Sequence, residues 1–326
     1  MPSPARAHDA HIDATGAHVV SPGSQRIETS LGSLVLRSPI VAASGTVGSV
    51  VDFADGGDFL PYGAAVAKSV SSEPWPGRMP PRLTSTGAGM MNGIGIQNPG
   101  IDAWIREVGP RIGEVPVPIW GSAVGHDAAG FAEVARGLQT AGIAAVEVNL
   151  SCPNLEDGHL FALDPDSSAE VVRAVREATD LPVGAKLSPN VVDIADIANA
   201  VSEAGADWVV LTNTVWGAGI NVETRRPKLS GMVGGYSGTP LKPIALRCVW
   251  EVSQSLPDLP IVGCGGVRTG EDVVEFLLAG ASAVAIGTAH FAEPRVGSRV
   301  IKELERYMAK HNVGTVRELV GAVEPW

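Results

Sequence analysis

The chain has 326 residues, of which 45% are apolar, 18% charged and 5% aromatic, and its 24 Lys and Arg against 35 Asp and Glu give a formal charge of −11. An acidic chain without a basic cluster excludes binding to nucleic acid or to an anionic membrane surface. The three cysteines, Cys152, Cys248 and Cys264, exclude a disulfide framework and an iron–sulfur cluster held by four thiolates of this chain.

Residues 1–26 are polar and rich in Pro, Gly, Ser and His, without a hydrophobic period. We expect a disordered tail here, and its histidines lack the carboxylate or thiolate spacing of a metal site, so no metal is expected. The tail lacks the apolar core of a signal peptide, and the longest apolar stretch, 276–289, is too short to cross a bilayer. We therefore expect a cytoplasmic protein without a membrane segment, folded over residues 27–326.

Eight short apolar runs, bounded by Gly, Pro or Asn, recur from Ile27 onward. They are apolar at consecutive positions, which is typical of parallel strands covered on both faces. Because helical patterns separate most of them, the sequence predicts a single (β/α)8 TIM barrel of the α/β class, with a doubly wound open sheet as the alternative. The predicted strands are 39–43, 64–68, 117–124, 144–150, 182–187, 207–212, 259–263 and 282–287.

Helical patterns lie between these strands, and Ser167 and Glu170 have the spacing of a capping box at the start of one of them. A long insertion, 69–116, follows the second strand and is dense in Gly, Pro and Asn. An insertion after a barrel strand belongs to the catalytic face, so we expect a binding loop or lid. The predicted helices are 128–140, 167–179, 193–204, 241–255 and 270–279.

Glycines follow the last two predicted strands, Gly265 and Gly266 after the seventh and Gly287 before Thr288 after the eighth. Amides without side chains, near a helix opening at about Thr269, can approach a phosphate closely. The sequence therefore predicts a phosphate site. No Gly-x-Gly-x-x-Gly follows a strand, so a nicotinamide site is not visible, and flavin mononucleotide (FMN) is the phosphate cofactor that fits redox chemistry.

The string Asn-Leu-Ser-Cys-Pro-Asn, 149–154, ends the fourth strand, where barrels place catalytic groups. Cys152 between two amide side chains can act as a thiolate base, and a buried inert cysteine is the alternative. His159 lies outside the same turn, which disfavours a Cys–His hydrolase. Cys248 and Cys264 are expected to be packing residues.

Two lysines belong to predicted strands: Lys68 ends the second and Lys186 lies in the fifth. A lysine in an apolar strand must face a partner, because an unpaired buried charge is unfavourable. We expect that partner to be an anionic cofactor ring or a substrate carboxylate. Asn213 and Thr214 add neutral hydrogen-bonding groups after the sixth strand.

These motifs resemble the dihydroorotate dehydrogenase family from about Gly32 to Pro294, and the string at 149–154 is highly specific. Cysteine at the base position is similar to the soluble class 1 enzymes, because the membrane-associated class 2 has serine there. Segments 158–165 and 224–246 look most like the class 1B catalytic subunit. The other matching segments are 44–46, 68–69, 91–100, 186–190, 234–243 and 279–288.

The resemblance implies oxidation of (S)-dihydroorotate to orotate in pyrimidine biosynthesis, with Cys152 removing the C5 proton while the C6 hydride passes to N5 of FMN. It also implies a separate subunit with FAD and an iron–sulfur cluster that passes electrons to NAD, and a homodimeric core. The implied substrate-binding residues are Lys68, Asn92, Gly93, Ile94, Gly95, Ile96, Asn149, Asn154, Asn213 and Thr214. The implied FMN-binding residues are Ser44, Lys68, Ser69, Asn149, Lys186, Thr212, Gly238, Gly265, Gly266, Gly287 and Thr288.

Several positions depart from the family pattern. Trp-Gly-Ser at 120–122 replaces an Ala-Asn-Val-type sequence, Trp-Gly-Ala at 216–218 replaces a Leu-x-Gly-Met-type run, and Gly93 stands where Ala is common. The stretch 75–78 alters the approach to the substrate loop. These changes are expected to reshape the pocket or the partner interface. They leave open that the chain is a repurposed enzyme of specialised metabolism.

Three alternatives remain. Dihydropyrimidine dehydrogenases share 149–153 but typically have His where this chain has Asn154, so Asn154 and Lys68 favour a substrate that carries a carboxylate. Fumarate, the acceptor of class 1A enzymes, could replace NAD. A flavin- or phosphate-binding barrel without activity would leave the thiol and both lysines without a role.

Overall fold

Eight parallel strands form a closed barrel in the computed structural model, which describes residues 24–53, 57–151, 161–324 and 326. The strands are β1 Ile40–Ala42, β2 Ala64–Val66, β3 Ile119–Ala123, β4 Ala145–Asn149, β5 Val183–Leu187, β6 Trp208–Leu211, β7 Ile261–Cys264 and β8 Ala283–Ile286. Each strand pairs with the next along the chain, and β8 pairs with β1. The predicted barrel and its eight strands are confirmed, and the open sheet is wrong.

In the part of the chain that the structure describes, eight α-helices accompany the strands: α1 Ile101–Glu107, α2 Ala128–Thr140, α3 Pro165–Ala178, α4 Ile194–Glu203, α5 Lys242–Ser255, α6 Gly270–Leu278, α7 Ala289–Ala292 and α8 Val296–Lys310. Aspartates begin three of them, because a carboxylate before the first turn accepts the unpaired backbone N–H groups. Asp127 accepts from Gly130 N, and Asp193 accepts from Ala195 N and Asp196 N.

The start predicted for α3 is wrong. Asp164 is the N-cap residue, its carboxylate accepts from the backbone N–H and the hydroxyl of Ser167, and Pro165 opens the first turn. Proline is favoured at this position because it has no N–H to satisfy. Ser167 therefore lies inside the helix and not at its cap.

The barrel interior contains its own apolar cluster below the strand ends. Trp120 of β3 and Trp208 of β6 meet there with ring centroids 5.0 Å apart. Gly184 of β5 makes room for them, since a Cβ at that position would lie 2.2 Å from the Trp208 ring. A hairpin of Thr29–Leu31 and Leu34–Leu36 contributes two buried leucines to the same cluster.

The predicted tail falls mostly outside the described residues. Residues 1–23 are not described, and Ser24–Ile27 is a short 3-10 helix. No helix of the described chain combines the length and apolar character needed to cross a bilayer, and the cytoplasmic location stays a prediction.

A four-stranded antiparallel sheet covers the carboxyl ends of the barrel strands. The insertion after β2 contributes Leu83–Ser85 and Met90–Asn92, and the segment after β6 contributes Val215–Ala218 and Val233–Ser237. Their order is 215–218, 233–237, 90–92 and 83–85, with Asn92 opposite Gly235. The lid expected from the insertion is therefore present, and half of it comes from a second segment.

Candidate active site

A cavity of about 780 Å³ lies between the barrel strand ends and the covering sheet. This is the face where barrel enzymes place their chemistry, and the volume is in the range of small-molecule and cofactor sites. Among the residues expected to bind substrate or cofactor, the cavity is lined by Ser44, Lys68, Ser69, Asn92, Ile94, Ile96, Asn149, Lys186, Thr212, Asn213, Thr214, Gly238, Gly265, Gly266, Gly287 and Thr288.

Four expected site residues are not among those lining residues. Cys152 and Asn154 lie outside the described residues. Gly93 and Gly95 belong to the loop that borders the cavity, but they face Arg78: a Cβ on Gly93 would lie 3.3 Å from Arg78 Nη1, and one on Gly95 would lie 2.6 Å from Arg78 N. In the structure these two glycines allow the loop to pass close to Arg78.

One end of the cavity is a set of backbone amides after β7 and β8. Among the described residues, the N–H groups of Gly265, Gly266, Gly287 and Thr288 donate no internal hydrogen bond. Gly266 has φ +77°, and a Cβ there would lie 2.7 Å from Lys242 N, so the turn requires glycine. Unpaired backbone amides that line a cavity suit a phosphate.

The start of α6 contributes less to this end than expected. The backbone N–H groups of Arg268 and Thr269 both donate to Asp272 Oδ2, at 2.7 and 2.8 Å, in a capping box. Because these donors already have an acceptor within the helix, the free amides are those of the glycine turns.

The opposite end of the cavity is a chain of hydroxyl and amide side chains. Ser122 Oγ lies 2.8 Å from Ser69 Oγ, Asn149 Nδ2 donates to Ser69 Oγ at 3.1 Å, and Asn213 Nδ2 donates to Asn149 Oδ1 at 3.1 Å. Thr214 N in turn donates to Asn213 Oδ1 at 2.8 Å. Each bond fixes the orientation of the next amide, so the set presents donors and acceptors at fixed places to a planar polar ring.

Lys186 has a partner inside the barrel that the sequence did not reveal. Its Nζ lies 3.9 Å from Oε1 of Glu147 on the neighbouring strand β4, and both residues are buried. Burial lowers the pKa of Lys186, but the Glu147 carboxylate and Cys264 together raise it above its usual value, which favours the charged ammonium. Burial also raises the pKa of the Glu147 carboxyl, with Lys186 opposing that effect, so the charge on each group depends on the other. The two residues are charged positions in adjacent strands of otherwise apolar sequence, and this was the feature of the sequence from which the pair could have been predicted.

Cys264 is buried in the apolar cluster of the barrel interior, as expected of a packing residue. It also ends β7 and lines the cavity beside Lys186. Burial raises the pKa of its thiol above the usual value, with Lys186 opposing that effect.

The tryptophans that depart from the family pattern do not line the main cavity. Trp120 is in the barrel interior, while its neighbour Ser122 holds Ser69. Trp216 is partly exposed on the covering sheet, and its backbone N–H donates to Asn190 Oδ1 at 2.9 Å. Trp75 packs against His126 with ring centroids 4.5 Å apart and the ring planes tilted by 41°. With Lys68, Trp75 also lines a second cavity of about 790 Å³.

A buried histidine lies behind the glycine turn that follows β8. His290 is 2% exposed, and burial lowers its pKa to about 4 despite a hydrogen bond with Gly287 O. In the unfolded chain a histidine titrates near 6.5, so the unfolded state binds the proton first as the pH falls. The contribution of His290 to stability is therefore complete above that value and is lost as the pH falls toward 4.

We expect this linkage to be measurable. Between pH 7 and pH 5, the free energy of unfolding of the wild-type chain should fall by about 2 kcal/mol more than that of a His290→Asn variant, which cannot titrate there. Urea denaturation at the two pH values measures both changes. Equal falls in the two proteins would mean that His290 titrates normally in the folded chain.

The family model for dihydroorotate dehydrogenase matches residues 26–308. The chain belongs to the dihydroorotate dehydrogenase family. Dihydroorotate dehydrogenase B (NAD(+)), catalytic subunit, from Geobacter sp. strain M21 is 43% identical over 300 residues, which cover 91% of this chain and 98% of that relative. The protein of the same name from Desulforudis audaxviator is 45% identical over 295 residues, 90% and 96% of the two chains.

A solved dihydroorotate dehydrogenase from Eimeria tenella, in complex with ferulenol, superposes with a TM-score of 0.78. The superposition covers 95% of this chain and 91% of the Eimeria chain, at 20% sequence identity, and so shows that the two share the barrel fold. The resemblance to the class 1B catalytic subunits is confirmed by the relatives. As a member of the dihydroorotate dehydrogenase family, the chain is an oxidoreductase.

Proposed function

We propose that this chain oxidises dihydroorotate to orotate with bound FMN. The observation that carries the proposal is one cavity with two chemically different ends, free backbone amides at one and a fixed network of amide side chains at the other. A phosphorylated flavin and a pyrimidine carboxylate need these two kinds of group at the same time.

The residues present fit FMN. The amides of the glycine turns after β7 and β8 would hold its phosphate, and Lys186 at the cavity wall would lie beside its ring. When bound, the flavin accepts a hydride from the substrate. A lysine that keeps its charge near the ring stabilises negative charge that develops there, because the barrel interior screens that charge poorly.

The amide network would hold the pyrimidine. Asn149 and Asn213 are fixed by their mutual hydrogen bond, and Asn92 faces them from the covering sheet, where its Nδ2 donates to Gly235 O at 3.4 Å. Lys68, which lines the same cavity, would attract the substrate carboxylate. Asn154 is proposed as a further contact on the basis of the family resemblance.

The proton acceptor we propose is Cys152. It follows Ser151, which lines the cavity and whose Oγ donates to Lys186 O at 3.0 Å. A thiolate takes the C5 proton while the hydride leaves C6, so both hydrogens depart from adjacent carbons. The family resemblance of 149–154 supports this role.

The electron acceptor we propose is NAD, reached through a partner subunit with FAD and an iron–sulfur cluster. The relatives are named catalytic subunits, which implies a partner for them. Co-purification of the untagged partner with this chain, and NADH formation by the complex alone, test this assignment. Reduction of fumarate by the isolated chain would contradict it. A homodimeric core is part of the same proposal.

The substrate is tested by mixing the oxidised holoprotein anaerobically with dihydroorotate or with dihydrouracil and following the loss of flavin absorbance. We expect dihydroorotate to reduce the flavin at least about 100-fold faster, because dihydrouracil lacks the carboxylate and leaves buried polar groups of the site unpaired. Faster reduction by dihydrouracil would favour a dihydropyrimidine dehydrogenase. A yellow protein that neither compound reduces would favour a binding function alone.

A further inference from the structure

We propose that His290 is a positioning residue for the cofactor phosphate, because its imidazole holds the Gly287 carbonyl so that the Thr288 N–H faces the cavity. The inference rests on the proposed FMN site and adds a residue that touches neither the flavin nor the substrate.

His290 makes close polar contacts through both ring nitrogens. Nε2 lies 2.8 Å from the Tyr62 hydroxyl, and Nδ1 lies 3.0 Å from Gly287 O and 3.1 Å from Thr46 Oγ1. The Thr46 hydroxyl donates to Ala43 O at 2.8 Å. The histidine thus connects the turn after β8 with the turn after β1, and both turns line the cavity.

The partners fix the tautomer. Gly287 O can only accept, so Nδ1 must carry the proton and Nε2 must accept from Tyr62. The Thr46 hydroxyl is already a donor to Ala43 O, so its oxygen is available as a second acceptor for Nδ1–H. The neutral ring, expected at physiological pH from its lowered pKa, satisfies every one of these bonds.

The geometry of the peptide then carries the effect to the cavity. In a planar trans peptide the C=O and the following N–H point in opposite directions. The carbonyl of Gly287 accepts at 3.0 Å from both the backbone N–H and the imidazole Nδ1–H of His290. The carbonyl is therefore directed toward residue 290, and the Thr288 N–H of the same peptide is directed away from it. That N–H has no internal acceptor among the described residues, and Thr288 lines the cavity.

The surroundings of Tyr62 support the rigidity of this arrangement. Tyr62 is 1% exposed, and Gly297 of α8 admits its ring, since a Cβ there would lie 2.5 Å from the ring and 2.6 Å from the hydroxyl oxygen. Burial raises the pKa of Tyr62, and the Gly297 backbone opposes that larger effect, so the Gly297 N–H faces the hydroxyl oxygen. The imidazole is therefore held from the side opposite the phosphate turn.

The test compares two ligands that differ only in the phosphate. The apoprotein is titrated with FMN and with riboflavin, and the two dissociation constants are measured by quenching of flavin fluorescence. In His290→Leu the Gly287 carbonyl keeps its bond to the backbone N–H of residue 290 and loses the one to the imidazole. We therefore expect FMN to bind about tenfold more weakly, the size of one lost neutral hydrogen bond, while the affinity for riboflavin stays unchanged. His290→Asn, whose amide can replace the Nδ1 donor, should restore most of the FMN affinity, and exposed His311→Leu is the matched control.

Each outcome separates the possibilities. Equal weakening of FMN and riboflavin in His290→Leu would show a general structural role and overturn the inference, as would no weakening of either. If His290→Leu does not fold, Tyr62→Phe replaces it, with an expected FMN-specific loss of about three- to tenfold. A wild-type chain that binds riboflavin and FMN equally, or neither, would overturn the proposed phosphate site itself.

Discussion

Replacing Cys152 with serine is expected to slow reduction of the bound flavin by dihydroorotate by about 10²–10⁴-fold at neutral pH. A serine hydroxyl ionises at far higher pH than a thiol, so almost none of it is available as the anion that removes the C5 proton. The rate is measured by anaerobic stopped-flow absorbance. The wild-type rate should rise with pH as the thiol ionises, and that rise should be absent from the variant below pH 9 or so.

The matched control is Cys248→Ala. Cys248 is buried in α5, away from the cavity lining, and burial raises its pKa to about 11, so it is not a base near neutral pH. Its loss should leave the reduction rate within about twofold of wild type. If Cys152→Ser reduced its flavin as fast as this control, the proton would have to leave by another group.

Replacing Glu147 with alanine is expected to lower the free energy of unfolding by about 3–5 kcal/mol, because it leaves the buried ammonium of Lys186 without its partner. Urea denaturation of the apoprotein measures this loss. The double variant Glu147→Ala with Lys186→Met removes both charges and should recover at least half of it.

A surface ion pair provides the comparison. Arg106 and Glu107 lie 3.0 Å apart with side chains 67% and 62% exposed, so Arg106→Ala should change the unfolding free energy by less than about 0.5 kcal/mol. A loss in Glu147→Ala no larger than this would mean that Lys186 is not charged in the folded barrel. If the double variant does not recover stability, the free energy of unfolding lost in Glu147→Ala comes from lost packing and not from an unpaired charge.

The barrel could be predicted because its strands obey a simple pattern. Strands such as β7, Ile261–Cys264, are buried at every position, and burial on both faces gives an unbroken apolar run. The covering sheet could not be found in this way. Its strand Leu83–Ser85 is largely exposed, and Val215–Ala218 alternates between half-buried and exposed, so their pairing depends on contacts between distant segments.

The candidate site divides along the same line. The end of the site formed by backbone amides could be predicted, because the sequence itself shows glycines directly after the last two strands. The Glu147–Lys186 pair could not, because the barrel register brings two distant residues together. The role proposed for His290 could not be predicted either, because it depends on a contact with Tyr62, which lies 228 positions away in the sequence. The error at Ser167 arose because Asp164, three residues earlier, is an equally good cap.

The covering sheet leaves the barrel from β2 and from β6, which are four strands apart in a ring of eight and so stand on opposite sides. It therefore spans the rim as a bridge between opposite sides of the barrel. One flank belongs to β3, β4 and β5, where Ser151 and Lys186 line the wall, and the other to β7, β8 and β1, where the glycine turns lie. Lys186 and the glycine turns thus belong to different halves of the ring, so a ligand that reaches both lies across the barrel mouth beneath the sheet.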